Sequence, residues 1–180
     1  GTLTVTNSSF NTNSALLSGG AVADYAAGAT SVIDRSTFQG NHAGSNGGAL
    51  YSIGVMDLVS STLSGNSAQA DGGALYHTGT LTITQSTLTD NQALSDGGAI
   101  FVSGSATVSN SAFLTNTATF NGGGWYKDGA NTWSCTFCTF NGNKAANGGA
   151  MAIAGGTSNL TAAGVSANQA TGSGGGLALI

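Results

Sequence analysis

Proline and glutamate are absent from the 180 residues, and only three basic and seven acidic side chains are present. That scarcity excludes several partners at once. A net charge of −4 without a basic cluster gives nucleic acid or an anionic membrane nothing to hold. No apolar run approaches the roughly 20 residues of a membrane helix, so no membrane insertion by these residues is expected. Disordered chains are polar and highly charged, whereas 40% of this one is hydrophobic. An initiator Met and a signal peptide are also missing, which predicts a processed chain or an excerpt of a longer one.

Glycine is what the chain has in plenty, 30 in all, and it recurs in register. Pairs begin at Gly19, Gly47, Gly72, Gly97, Gly122, Gly148 and Gly174. An apolar residue followed three positions later by Asn travels with them: Phe10/Asn13, Phe38/Asn41, Leu63/Asn66, Leu88/Asn91, Phe113/Asn116, Phe140/Asn143 and Val165/Asn168. Two residues after each Asn stands Ala. A fixed period of about 25 residues decides architecture before any local reading does. Within a period the pattern alternates, as in "GTLTITQSTL", where Leu81 and Ile83 alternate with Thr80, Thr82 and Thr84.

The expectation is an all-β, single-domain parallel β-helix over 1–180, about seven coils of about 25 residues, each of three short strands, right-handed by the general rule for parallel connections. No terminal caps are evident. Three columns should point inward. They run Val5, Ile33, Leu58, Ile83, Val108, Cys135, Leu160; Phe10 to Val165; and Val22, Leu50, Leu75, Ile100, Trp125, Met151, Leu177. The seven residues Asn13, Asn41, Asn66, Asn91, Asn116, Asn143 and Asn168 should form an internal ladder, since an unpaired buried amide costs a few kcal/mol.

Phrases such as "FQGN" with "GGAL", "LTDN" with "GGAI" and "FNGN" with "GGAM" resemble the repeats of polymorphic outer-membrane proteins and related β-helical surface adhesins. The resemblance implies an extracellular or cell-surface location and a binding or structural role. It implies a shared scaffold and no active site.

The half-coils at the two ends complement each other. The last glycine pair begins at Gly174, six residues before Ile180, and "GTLTVTNSSF" matches the second half of a coil. If residue 1 of a second copy follows residue 180, its Phe10 falls 16 positions beyond Gly174, the spacing found inside the array. Gly1, Thr2, Leu3, Thr4, Val5 and Phe10 at one end, and Gly174, Gly175, Leu177, Leu179 and Ile180 at the other, are therefore the candidates for axial self-association. The function expected first is a structural subunit of an extracellular filament that stacks head to tail. The alternative is a segment of a longer cell-surface adhesin that binds a host receptor or glycan.

An enzyme is not expected, and no cofactor or metal either. Asp71 and Asp96 share a column and are candidates for a shared proton or Ca²⁺. The column also holds Ser18, Asn46, Asn121, Asn147 and Ser173, which favours turn residues ahead of Gly-Gly. His42 and His77 stand alone on different columns. A threonine-rich strand face (Thr2, Thr4, Thr6; Thr80, Thr82, Thr84; Thr107; Thr132, Thr136; Thr157, Thr161) raises ice binding as a less favoured reading, interrupted by Asp34, Val55, Asp57 and Val59. "NSS" at Asn7 and "NLT" at Asn159 are glycosylation acceptors in a host with that chemistry.

Departures from the repeat mark special roles. The segment "GGGWYKDGANTWSCTFC" is two residues longer than its counterparts. Trp125, Tyr126, Lys127 and Trp133 within it, and the column Tyr51, Tyr76, Phe101, Tyr126, are candidates for a lateral or ligand contact; filling a wider coil is the competing use of the tryptophans. Cys135 and Cys138 are a candidate disulfide, two packed thiols being the alternative.

Overall fold

The alternation in "GTLTITQSTL" becomes the strand Thr80–Thr84, with Leu81 and Ile83 fully buried and Thr80 exposed. The same coil continues with Thr87–Thr89, Gln92–Ala93 and Ile100–Val102. Each strand pairs in parallel with its counterparts one coil before and one coil after. The computed structural model describes residues 1–180 as 28 strands in four seven-stranded sheets. They are called here A, B, C and D in the order a coil visits them. No helix of the chain is long and apolar enough to cross a membrane. A parallel β-solenoid of seven coils is thus the fold.

Each coil has four strands, not the three expected from the sequence. The extra one is a two-residue pair directly after the ladder Asn, such as Gln92–Ala93. Two residues cannot show an alternation, so only the recurrence of the buried Ala marks it.

The corners explain the glycines. The first Gly of each pair has φ between 61° and 68°, the left-handed region that suits glycine. The second is required by close approach: a Cβ on Gly98 would lie 2.1 Å from the carbonyl oxygen of Gly123 in the next coil. The A-to-B corner places non-glycine residues in the left-handed region at every turn, Asn7, Arg35, Ser60, Gln85, Asn110, Phe137 and Ala162, with φ from 47° to 55°.

All three expected inward columns line one continuous core. Their inner members are fully buried, each contributing about 1.5–3 kcal/mol by leaving water. Phe10, Val22 and Leu160 are half-buried, and Val165 and Leu177 exposed, because they lie on the end faces.

Candidate functional site

Hydrogen-bonded ladders run along the axis. In the Asn ladder each Oδ1 accepts both the backbone N–H and an Nδ2–H of the Asn one coil earlier, through all six steps from Asn13 to Asn168 at 2.8–3.0 Å. The second Nδ2–H donates to the carbonyl of the apolar residue in the coil before. Asn41 donates in this way to Phe10, Asn91 to Leu63 and Asn143 to Phe113. Asn41, Asn66, Asn91, Asn116 and Asn143 are buried, so they offer nothing to an outside ligand and belong to the scaffold. Only the terminal rungs reach solvent, Asn13 exposed and Asn168 half-buried. Every polar atom of an inner amide is used, which is why these amides can be buried.

Two further ladders were less legible. Ser36, Ser61, Ser86 and Ser111 each accept the backbone N–H of the residue one coil earlier at 3.0–3.1 Å. The column ahead of Gly-Gly forms the third. The N–H of Asp71 donates to Asn46 Oδ1, that of Asp96 to Asp71 Oδ1, and that of Asn121 to Asp96 Oδ1. Asp71 and Asp96 therefore act as turn ladder members. Burial raises the pKa of Asp96, with a smaller push from the Asp71 charge and an opposing pull from the Asn121 hydrogen bonds.

The lateral candidates divide. Tyr51, Tyr76 and Phe101 stack nearly parallel at 4.7–5.2 Å, with Tyr25 and Tyr126 tilted at either end. Phe101 is buried, and Tyr51, Tyr76 and Tyr126 are half-buried. Burial, reinforced by neighbouring charged groups, raises the pKa of Tyr76 and Tyr126. The stacked faces cover one another, so this column offers ring edges to a partner.

Trp125, Lys127 and Trp133 do not face a partner at all: all three are fully buried. This corrects the expectation of a contact surface there. Trp133 sits in register between Ala106 and Ser158, so small neighbours make room for it. Trp125 packs 5.5 Å from both Trp133 and Phe113, beside a glycine, Gly124, whose counterpart in the adjoining coil is Ala99. Lys127 turns inward, and its Nζ donates to the carbonyls of Gly129, Gly155 and Asp128. Burial lowers its pKa. In the same inward column lies His77, whose ring nitrogens have no partner at conventional hydrogen-bond geometry. Burial lowers its pKa to about 4, against a smaller pull from the nearby Thr80 backbone. His42 instead sits on sheet C, its Nδ1 2.9 Å from Ser67 Oγ.

Cys135 and Cys138 are joined in a disulfide across the A-to-B corner. Both are buried. Asn7 and Asn159 stand outward, Asn7 exposed and Asn159 on the exposed last strand of sheet A, as an acceptor for a glycan must.

The axial candidates form the two end faces. Thr2–Thr6 pairs only with Thr30–Asp34, and Leu177–Leu179 only with Met151–Ala154. One face holds a recess of about 520 Å³ lined by residues including Gly1, Thr2, Leu3 and Ala29. The other holds one of about 630 Å³ lined by Ile153, Leu160, Leu177 and Leu179 among others. Thr4, Gly174 and Gly175 are exposed, as are Leu3, Leu177, Leu179 and Ile180, whereas Val5 is buried. The Asn ladder ends there too, with the Oδ1 of Asn13 at one face and the backbone N–H of Asn168 at the other.

Fold and ladders together define a β-solenoid repeat protein. Residues 35–53, 60–78 and 85–103 are similar to a family described as the Chlamydia polymorphic membrane protein (Chlamydia_PMP) repeat. Comparison with curated proteins and with solved structures found no match.

Proposed function

We propose that the chain is a structural rod of a cell-surface protein, of the adhesin-passenger kind. Its role is mechanical rather than catalytic. The observation that carries this is the unbroken Asn ladder, which holds seven coils in one register with every inner amide saturated. The similarity to polymorphic membrane protein repeats supports the surface location. A disulfide supports an oxidising compartment.

The finer reading is that a second copy supplies the next coil. With a second copy stacked in register, its Phe10, Asn13 and Gly19 extend the Val165, Asn168 and Gly174 columns. Asn168 then donates to the second copy's Asn13, and Ser8 of that copy receives the Ala163 N–H. Edge strands left unpaired favour such addition. Electron microscopy of the purified chain tests it. Filaments with a rise of roughly 34 Å per subunit, seven coils at about 4.8 Å, are expected. Leu177→Lys should abolish them while leaving the coils folded. Discrete short rods at high concentration would sink self-stacking.

A further inference from the structure

Six of the seven A-to-B corners carry a polar or small residue in the left-handed conformation, and the seventh carries Phe137, with φ 55°. Asn tolerates that backbone because its short side chain bonds locally, whereas a bulky aromatic is a genuine outlier there. The residue is 61% exposed, so packing does not offset the strain. The turn is nevertheless held firmly. Phe137 N–H donates to Thr161 O at 2.9 Å, Asn110 N–H to Thr136 O at 3.0 Å, and the Cys135–Cys138 disulfide spans this corner alone. Strain and a unique covalent brace meet at one protruding aromatic, and local rules are broken in this way at functional sites.

We infer that Phe137 anchors a site for a neutral carbohydrate. The neighbours supply the chemistry. On the sheet A side the outward residues of this coil and the next are Thr132, Ser134, Thr136, Thr157, Asn159 and Thr161, none of them charged. On the sheet B side Asn141 donates to Ser166 Oγ at 2.7 Å, and both are exposed. A sugar ring presents an apolar face of C–H groups, which suits the negative face of an aromatic ring, and a rim of hydroxyls, which suits amide and hydroxyl partners. The corner one coil on is Ala162, so the side of Phe137 towards it faces no second ring, unlike the mutually covered faces of Tyr51, Tyr76 and Phe101. The absence of charge selects a neutral sugar over a uronic acid or a charged peptide.

This inference rests on the surface-rod reading, since a rod displayed at a surface meets glycans. The test is an array of immobilised neutral gluco-, galacto-, manno- and chito-oligosaccharides, probed with the disulfide-intact chain and with Phe137→Asn and Phe137→Trp. Asn occupies the equivalent corner at residues 7 and 110, so Phe137→Asn should fold, with a higher thermal midpoint, yet bind at least tenfold more weakly. Phe137→Trp should keep binding. Overturning results would be no binding of the parent chain to any neutral glycan, equal binding by Phe137→Asn, or a lower midpoint for Phe137→Asn, which would make the ring structural. Microscopy of Phe137→Asn should show the same filaments as the parent chain. Discrete short rods from the parent chain would sink self-stacking by a different measurement, without touching the glycan result.

Discussion

A single ladder residue carries more than its own hydrogen bonds. Removing the side chain of Asn91 by Asn91→Ala strands the N–H and an Nδ2–H of Asn66, the Leu63 carbonyl, and an acceptor position on Asn116. Each stranded buried group costs about 1–3 kcal/mol, so a loss on the order of 3–5 kcal/mol is expected in urea unfolding. His77 gives a second prediction, in pH. Above about pH 6.5 it is neutral in both folded and unfolded chains and contributes nothing. As pH falls from 6.5 towards 4 the unfolded chain takes up a proton that the buried ring refuses, so stability drops by about 3 kcal/mol in that window. His77→Val, which copies Val102 of the same column, should flatten the dependence; a curve unchanged by the substitution would assign it to other groups. The Asn ladder was legible in the sequence because Asn recurs without exception, from Asn41 to Asn143 as at the ends. The serine ladder was harder, since Ser is common on any solvated strand and only the cross-coil N–H bond separates ladder serines from the rest. The inward turn of Lys127 was not legible at all. A lysine reads as exposed unless its carbonyl partners, one of which comes from another coil, are known.

At the scale of the element, the corners decide what the strands tolerate. Gly98→Ala places a Cβ 2.1 Å from the next coil's backbone, and no side-chain adjustment relieves that contact. The variant should unfold or fail to accumulate. Gly65→Ala meets nothing within 4 Å and suffers only its φ of 61°, a cost of about 1 kcal/mol, consistent with Asp90 and Thr115 standing at the same corner in later coils. Comparing the two by thermal melting separates crowding from backbone conformation. The disulfide closes a very short loop, which limits its stabilisation to about 2 kcal/mol. Cys135→Val with Cys138→Ser restores the residue types of the coil before, Val108 and Ser111, and adds a serine rung. The double variant should stay folded with a midpoint within a few degrees of the parent. Glycine pairs announced their corners in the sequence. The left-handed A-to-B corner did not, because spacing rather than residue type defines it, and Asn, Arg, Ser, Gln, Phe and Ala all occupy it.

For the whole molecule, the sequence displayed the period, the parallel coils and the inward columns, because each is written seven times. It did not show that Trp125 and Trp133 point inward, because that part of the lateral reading rested on one departure from the period, and a tryptophan filling a gap looks the same as a tryptophan seeking a partner. The four sheets keep a one-to-one register between Thr80–Thr84 and Ser105–Ser109, and likewise around the rest of the coil. Deleting residues 85–109 therefore joins Thr84 to Asn110, the next copy of the same corner, and should leave a folded rod of six coils. Removing about half a coil from the same place should destroy it, and circular dichroism with microscopy distinguishes the two. Length in such a molecule is consequently digital. Gene segments of about 25 codons can be duplicated or lost without redesigning either neighbour, and the rod grows or shrinks in steps of about 4.8 Å, a ruler whose graduations are set by the backbone itself.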